Sequence, residues 1–366
     1  MASTSEDTRG LGNTFGLILA AGYGTRLGAL SDERPKPLLP VGDVPLVRWA
    51  AALLAKAGIR NLGVNVHHLG HDLRRELGEE FGDPTEPRRR LPVHYSVEEE
   101  IQGTGGGIRD LARAAPGKTL VVANGKIVAN IDLAAALAEH RRRGALATLV
   151  CAPHRNARAW GAIGVDGDGR IARLLDRAST AESAGRALRD PTLAEHMFTG
   201  VHIIESELLE VLPETGPCCI VRDAYLPLFL KGAPLFAHVH RGYFYEHSTP
   251  ERYLQGNLNL FRKDLSLPAA PGPLVGVHED AIVAEGVDIA ESVLICRGAH
   301  IEAGARVGPA VVVGAGVTIA AGAQVSESVL WPGAKVDASL KLRRAIVTPR
   351  QTVTVPETAD PWARPR

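Results

Sequence analysis

The sequence predicts a doubly wound α/β domain with a mainly parallel sheet, followed by a β-solenoid. Three observations carry this expectation. Up to about residue 263, short apolar runs alternate with helical patterns. Residues 263–276 then form a break containing Pro268, Pro271 and Pro273 around Gly272. Beyond it, aliphatic residues recur at every sixth position. Strand and helix in alternation argue for an open parallel sheet, whereas a fixed short repeat argues for a solenoid.

In the first part, residues 17–21, 62–66, 119–123, 146–151 and 201–204 read as buried strands, each a compact run of aliphatic residues. Residues 45–57 and 133–143 show helical spacing of their apolar positions. The proline-rich break reads as a stiff linker, because proline cannot continue a helix or donate to a sheet. In the second part, Val277, Val283, Ile289, Ile295, Ile301, Val307, Val313, Ile319, Val325 and Trp331 are each six residues apart. This period fits neither a helix nor a single strand. It fits coils whose flat sides each turn an aliphatic residue inward, with glycine at corners such as Gly286, Gly298, Gly304, Gly316 and Gly322. The expected organisation is a polar tail over 1–14, an α/β domain over 15–262, the linker over 263–276, the solenoid over 277–356 and a second tail over 357–366.

Composition narrows the function classes. The 366 residues suffice for two ordinary domains, and 45% of them are hydrophobic. Lysine plus arginine equals aspartate plus glutamate at 41 each, so no basic footprint points to nucleic acid. The first fourteen residues lack an apolar stretch, and no run is long enough to span a bilayer. No signal peptide and no membrane partner are therefore expected, and the location expected is cytoplasmic. Cys151, Cys218, Cys219 and Cys296 form no CxxC pair, which suits reduced thiols in a reducing compartment.

The chemistry concentrates in two neighbouring segments. Leu17-Ile-Leu-Ala-Ala-Gly-Tyr-Gly-Thr-Arg-Leu27 is a strand running into a glycine-rich turn. Gly22 and Gly24 let backbone amides approach a triphosphate, and Arg26 can fork onto phosphate oxygens. In Arg34-Pro-Lys-Pro-Leu-Leu-Pro40, Pro35 and Pro37 are expected to hold Lys36 on a rigid extended segment. Farther on, Glu98 and Glu99 precede the glycine run after Thr104. A carboxylate there can accept from the edge of guanine, and a solvated charged turn is the competing reading.

Together, LILAAGYGTRL and PKPLLP resemble the signature of sugar-1-phosphate nucleotidyltransferases, which join a sugar 1-phosphate to a nucleoside triphosphate. The repeat resembles the left-handed parallel β-helix of hexapeptide-repeat proteins. A β-helix of this kind trails the nucleotidyltransferase domain in proteins of the GDP-mannose pyrophosphorylase type. The resemblance implies a Rossmann-like nucleotidyltransferase fold and a cleft lined by Ala20, Ala21, Gly22, Gly24, Thr25, Glu98, Gly103, Thr104 and Gly105. It implies that Asn124, Gly161, Asp176, Arg177 and Thr199 bind the sugar phosphate, and that Arg26, Lys36 and Lys126 act in catalysis. The substrates implied are a nucleoside triphosphate, with GTP favoured, and a mannose- or heptose-type sugar 1-phosphate. Assembly into an oligomer through the β-helix is expected.

Two departures from the family pattern bear on the metal. The family reads Asn-Gly-Asp where this chain reads Asn124-Gly125-Lys126, and its second metal-binding aspartate falls at Glu246. Magnesium needs hard oxygen ligands, which a lysine cannot supply. The cofactor expectation is thus Mg²⁺ carried by the triphosphate, with Glu246 the one remaining candidate ligand. A cation about 4 Å from a phosphate is worth on the order of 4 kcal/mol. Its loss slows a step by roughly a thousandfold. Lys126 accordingly either replaces part of the metal's charge or marks a silent regulatory subunit that binds nucleotide sugars. A third reading, acyl transfer on the β-helix, rests only on His278 and His300.

Overall fold

A computed structural model of the chain describes residues 13–67, 70–155, 157–175, 177–178 and 193–357. His68, Asp176 and nearly all of both tails lie outside the described residues. The chain divides into two compact units, one from residues 1–23 and 50–244, the other from 24–49 and 245–366.

The first unit is built on one mixed sheet. At its centre the strand Thr14–Leu19 lies between Leu62–Val66 and Thr119–Asn124, parallel to both. Arg90–Val97 adds a further parallel strand beside Leu62–Val66. Phe15 and Leu17 point into one apolar layer with Ile108 and Leu111 of the helix Gly103–Ala112 and with Tyr225 and Phe229. Ile18 is equally buried on the opposite face, so the central strands are covered on both sides. The first strand begins at Thr14 and ends at Leu19, earlier than its apolar run predicts, because the amide of Ala20 leaves the ladder for the side chain of Asn65.

The expected Rossmann-like parallel arrangement holds through the central strands, and one flank of the mixed sheet is antiparallel. Ala194–Glu205 is a twelve-residue strand that runs antiparallel to both Thr119–Asn124 and Ala147–Pro153. Beyond it, Ile163–Val165, Ile171–Leu174 and Arg177–Ala178 form an antiparallel meander. Asp132 caps the helix Leu133–Arg142 by accepting from the amide of Ala135 at 2.9 Å.

At the other end of that helix, His140 is buried and fully engaged. Its Nε2 lies 2.9 Å from Glu205 Oε1, its Nδ1 2.9 Å from Thr148 Oγ1, and Thr119 Oγ1 donates to the same carboxylate at 3.0 Å. The hydrogen bond to His140 is the largest influence on Glu205, and together with Thr119 it holds the carboxyl below its ordinary value of 4.5 against the opposing effect of burial.

The second unit contains residues 24–49, the helix Pro250–Leu258 capped by Thr249, and the β-helix. Three parallel sheets form its sides, one running through Gly276–Val277, Val293–Ile295, Val311–Val313, Ser328–Leu330 and Ala345–Val347. Coils advance by eighteen residues at first, pairing Gly276 with Leu294, and by seventeen later, pairing Val329 with Ile346. Ile295, Val313, Leu330 and Val347 fill the core on this side, with Ala299 and Ala305 in the tight places.

The missing residue corrects the sixth-position series at its end. Leu330, not Trp331, is the inward residue, and Trp331 moves to the corner. It is nonetheless buried there, its indole donating to the Tyr253 hydroxyl at 2.9 Å. The final strand Thr352–Thr354 pairs antiparallel with Ala345–Val347. In the first coil, Val277, Ile282 and Val283 remain exposed. Among the described residues, no helix is long and apolar enough to cross a membrane.

The His140–Glu205 bond sets a pH dependence. A carboxyl whose pKa is lowered by folding contributes stability above its unfolded value and loses it as the pH falls through the folded value. The urea midpoint of the wild type should therefore decline as the pH drops below about 4.5. Replacing His140 by Ala should cost about 2–4 kcal/mol at neutral pH and flatten this acid decline.

Candidate active site

Ligands of open α/β sheets bind beyond the carboxyl ends of the parallel strands. Four adjacent strands of the first unit end on residues of interest here: Thr14–Leu19 on Ala20, Leu62–Val66 on His67, Arg90–Val97 on Glu98, and Thr119–Asn124 on Asn124 itself. One buried polar chain ties three of these ends together. The amide of Ala20 donates to Asn65 Oδ1 at 2.7 Å, Asn65 Nδ2 donates to Glu98 Oε1 at 2.7 Å, and the amide of Gln102 donates to Glu98 Oε2 at 2.8 Å. A buried carboxylate needs such partners, since leaving it unpaired costs several kcal/mol. Neither sequence reading of Glu98 describes this role. It is 5% exposed, not a solvated turn, and both oxygens are engaged by the protein, not offered to a base.

The second glycine-rich segment is the first turn of the helix Gly103–Ala112. Gly103 has φ +69°, and a Cβ there would stand 2.5 Å from the carbonyl oxygen of Cys218. The amide of Gly105 donates to that oxygen at 2.9 Å, and Thr104 Oγ1 accepts from the amide of Ile220 at 3.1 Å. These glycines admit the chain around Cys218. Ala20 and Ala21 are buried, whereas Gly22 is exposed in the turn.

Asn124 ends the strand Thr119–Asn124 and half-buried Lys126 lies in the turn after it, anchored where the amide of Gly125 donates to Leu19 O at 2.9 Å. The carboxamide of Asn124 rests on Gly200, where a Cβ would come within 1.9 Å of Nδ2. Thr199 is buried, and its hydroxyl donates to Val150 O at 2.8 Å and accepts from the amide of Val201, so it shapes the bulge in its strand. Gly161 precedes the strand Ile163–Val165, and Arg177 is exposed on Arg177–Ala178.

In the second unit, Thr25–Leu27 and Lys36–Leu38 are single 3₁₀ turns. Lys36 thus opens a turn after Pro35, and the extended geometry expected for it is corrected. Gly24 has φ +74°, and the Cβ it lacks would stand 3.3 Å from both Cβ and Cε of Lys36. The glycine therefore lets the lysine stem lie across the turn that carries Thr25 and Arg26. Glu246 Oε1 is 3.7 Å from Arg26 Nη2 and 3.7 Å from Arg252 Nη1. Arg252 is 1% exposed and also donates to Ser248 Oγ at 3.0 Å.

Of the two positions expected at a metal site, one carries a cation and the other is ion-paired. The family aspartate is Lys126, and Glu246 already faces two guanidinium groups. Among the described residues, no group of three or more His, Cys, Asp or Glu is arranged to hold a metal.

Residues 15–212, more than half of the chain, match the profile of the nucleotidyl transferase family. The chain belongs to this family. Residues 289–356 match the profile of the GMPPB C-terminal domain. Among curated relatives, a mannose-1-phosphate guanylyltransferase of Mycobacterium tuberculosis is 28% identical over 274 residues, covering 74% of this chain and 71% of the relative. A UTP–glucose-1-phosphate uridylyltransferase of Synechocystis is 27% identical, covering 60% of this chain and 56% of the relative. A glucose-1-phosphate adenylyltransferase of Dechloromonas aromatica is 27% identical, covering 68% and 62%. The chain thus spans less than two thirds of the length of the latter two relatives.

Asn65 and Arg252 stand out only in the structure. A lone amide in the strand Leu-Gly-Val-Asn-Val was the available signal for Asn65. Arg252 had none, since Pro-Glu-Arg-Tyr reads as a solvated helix start. Substituting Asn65 with Asp sets two carboxylates 2.7 Å apart in a buried place. This should cost about 2–4 kcal/mol of stability at neutral pH, with recovery in acid as the pair takes up a proton. Urea denaturation across pH measures both effects.

Proposed function

We propose that the chain transfers a nucleotidyl group from a nucleoside triphosphate to a sugar 1-phosphate. An oxygen of the sugar phosphate attacks the α-phosphorus, the bond from that phosphorus to the bridging oxygen breaks, and pyrophosphate leaves. Transfer of this type relies on positioning and charge more than on covalent help. The observation that carries the reading is the paired-turn segment of this nucleotidyl transferase family member, in which Lys36 lies across Gly24 beside Arg26. In this reading Arg26 and Lys36 meet phosphate oxygens, and the turn after the first strand shapes the nucleotide surface. Asn124 and Lys126 act on the sugar-phosphate side.

GTP and mannose 1-phosphate are the favoured pair. The mycobacterial relative's name and the match to the GMPPB C-terminal domain support it, while uridylyl and adenylyl relatives show similar identity. The product would feed polysaccharide or glycoconjugate synthesis. A second reading, a silent subunit that binds a nucleotide sugar and regulates a partner, is favoured by Lys126 and by the two arginines around Glu246.

A pyrophosphate-release screen decides between them, crossing the four common NTPs with several sugar 1-phosphates, with and without Mg²⁺. Turnover with one pair is expected. Replacing Arg26 or Lys36 by Ala should then lower kcat/KM by roughly a thousandfold, the worth of a cation beside a phosphate, with the melting temperature unchanged. Binding without turnover would favour the regulatory reading, and neither binding nor turnover would refute both.

A further inference from the structure

The segment that carries Arg26 and Lys36 is packed within the same compact unit as the β-helix. One corner of the β-helix runs along it. Cys296, Ala315, Trp331 and Thr348 follow the strands of four successive coils, which stack about 4.8 Å apart. Together they meet three places on the segment, Asp43, Arg34 and Glu33. Asp43 accepts from the amide of Ala315 at 3.4 Å and from the thiol of Cys296. The guanidinium of Arg34 lies 5.5 Å from the centre of the Trp331 ring. Thr348 Oγ1 donates to Glu33 Oε1 at 2.7 Å.

The last coil makes the most specific of these contacts. Gln351 Nε2 donates to Glu33 Oε1 at 2.7 Å and to Ala29 O at 3.0 Å, which uses both of its hydrogens. The Thr348 hydroxyl also accepts from the amide of Gln351 at 3.0 Å, so the two residues form a ready-made clamp. They grip both ends of the helix Ala29–Glu33. Five residues are too few for a helix to persist unaided, so its order comes from what holds it.

Short turns run through most of the chain between this helix and the two cations. The backbone closes turns from Gly24 to Leu27, Thr25 to Gly28, Gly28 to Ser31, Leu30 to Arg34, Pro35 to Leu38 and Lys36 to Leu39. On the far side of the segment, Tyr253 donates to Pro40 O, and the amide of Gly42 donates to Asn257 Oδ1 at 2.9 Å. The clamp therefore fixes the main chain on which both side chains stand, and a misplacement of about 1 Å in such groups can cost on the order of a hundredfold in rate.

We propose that Thr348 and Gln351, in the last coil of the β-helix, are positioning residues for Arg26 and Lys36. The proposal rests on the reading of Arg26 and Lys36 as phosphate-binding groups. It makes the β-helix part of the phosphate site's support.

The test uses the full chain carrying Thr348→Val and Gln351→Leu together, with inorganic pyrophosphate as a probe that needs no base. Deuterium uptake should rise in peptides covering residues 25–38, and calorimetry should show pyrophosphate binding weakened about tenfold, the worth of one charge-assisted hydrogen bond. The loss should shrink in a Lys36→Ala background and vanish when Arg26 is replaced as well, because changes acting through the same contacts are not additive. Glu33→Ala should reproduce the effect and Glu33→Gln, which keeps an acceptor, should largely spare it. Unchanged uptake, or an equal loss of affinity in the Lys36→Ala background, would overturn the proposal. If Arg26→Ala and Lys36→Ala themselves leave pyrophosphate binding intact, the phosphate reading falls and the positioning role falls with it. The uptake result then still shows whether the clamp orders the segment.

Discussion

The hydrogen bond from Asn65 to Glu98 is the constraint on which the first unit's functional end depends. Parallel strands finish with unpaired backbone groups and three chain ends leaving in different directions. Asn65 receives the amide that departs from the first strand, and Glu98 receives Asn65 together with the start of the glycine-rich helix. A carboxylate so enclosed is stable only while all of these donors stay in place. Loop geometry at the carboxyl ends is thereby set by a buried network, and the exposed residues of the turn inherit their position from it.

Charge is organised differently in the second unit. Arg26, Glu246 and Arg252 alternate in sign, with one guanidinium buried and the other 40% exposed. The buried arginine neutralises the carboxylate locally, which leaves the exposed one facing solvent with little compensation to give up when an anion arrives. A carboxylate bracketed in this way favours anions and disfavours small cations.

Much of the fold was legible because it follows from short-range pattern. The strand Leu62–Val66 and the start of the helix at Leu133 fall where apolar spacing puts them, and nine of the ten sixth-position residues match the repeat of the strands. Trp331 was misplaced because periodicity cannot register a side that is one residue short. The antiparallel Ala194–Glu205 strand was invisible as such, since apolar content carries no strand direction. Arg26 and Lys36 stand out by their glycine and proline neighbours, and the structure sets them on two adjoining 3₁₀ turns. Glu98 was misread because its partners, Asn65 and the Gln102 amide, are recognisable only once the strands are side by side. The grip of Gln351 on Glu33 spans 318 residues of sequence, and no local rule reaches that far.

The shortened side between Val325 and Leu330 has a consequence for how this β-helix stores information. Its core tolerates many aliphatic combinations, so composition along the sides is nearly interchangeable. Phase is not. Dropping one residue re-indexes everything downstream, turning an indole that would have pointed inward into a corner group beside Tyr253 and Arg34. The surface chemistry of a corner is thus written in the lengths of the sides as much as in their residues. A single-residue insertion or deletion there acts like a change of gear, and the interior stays packed only where the downstream sequence carries aliphatic residues in the new phase, as Leu330, Val336 and Val347 do here.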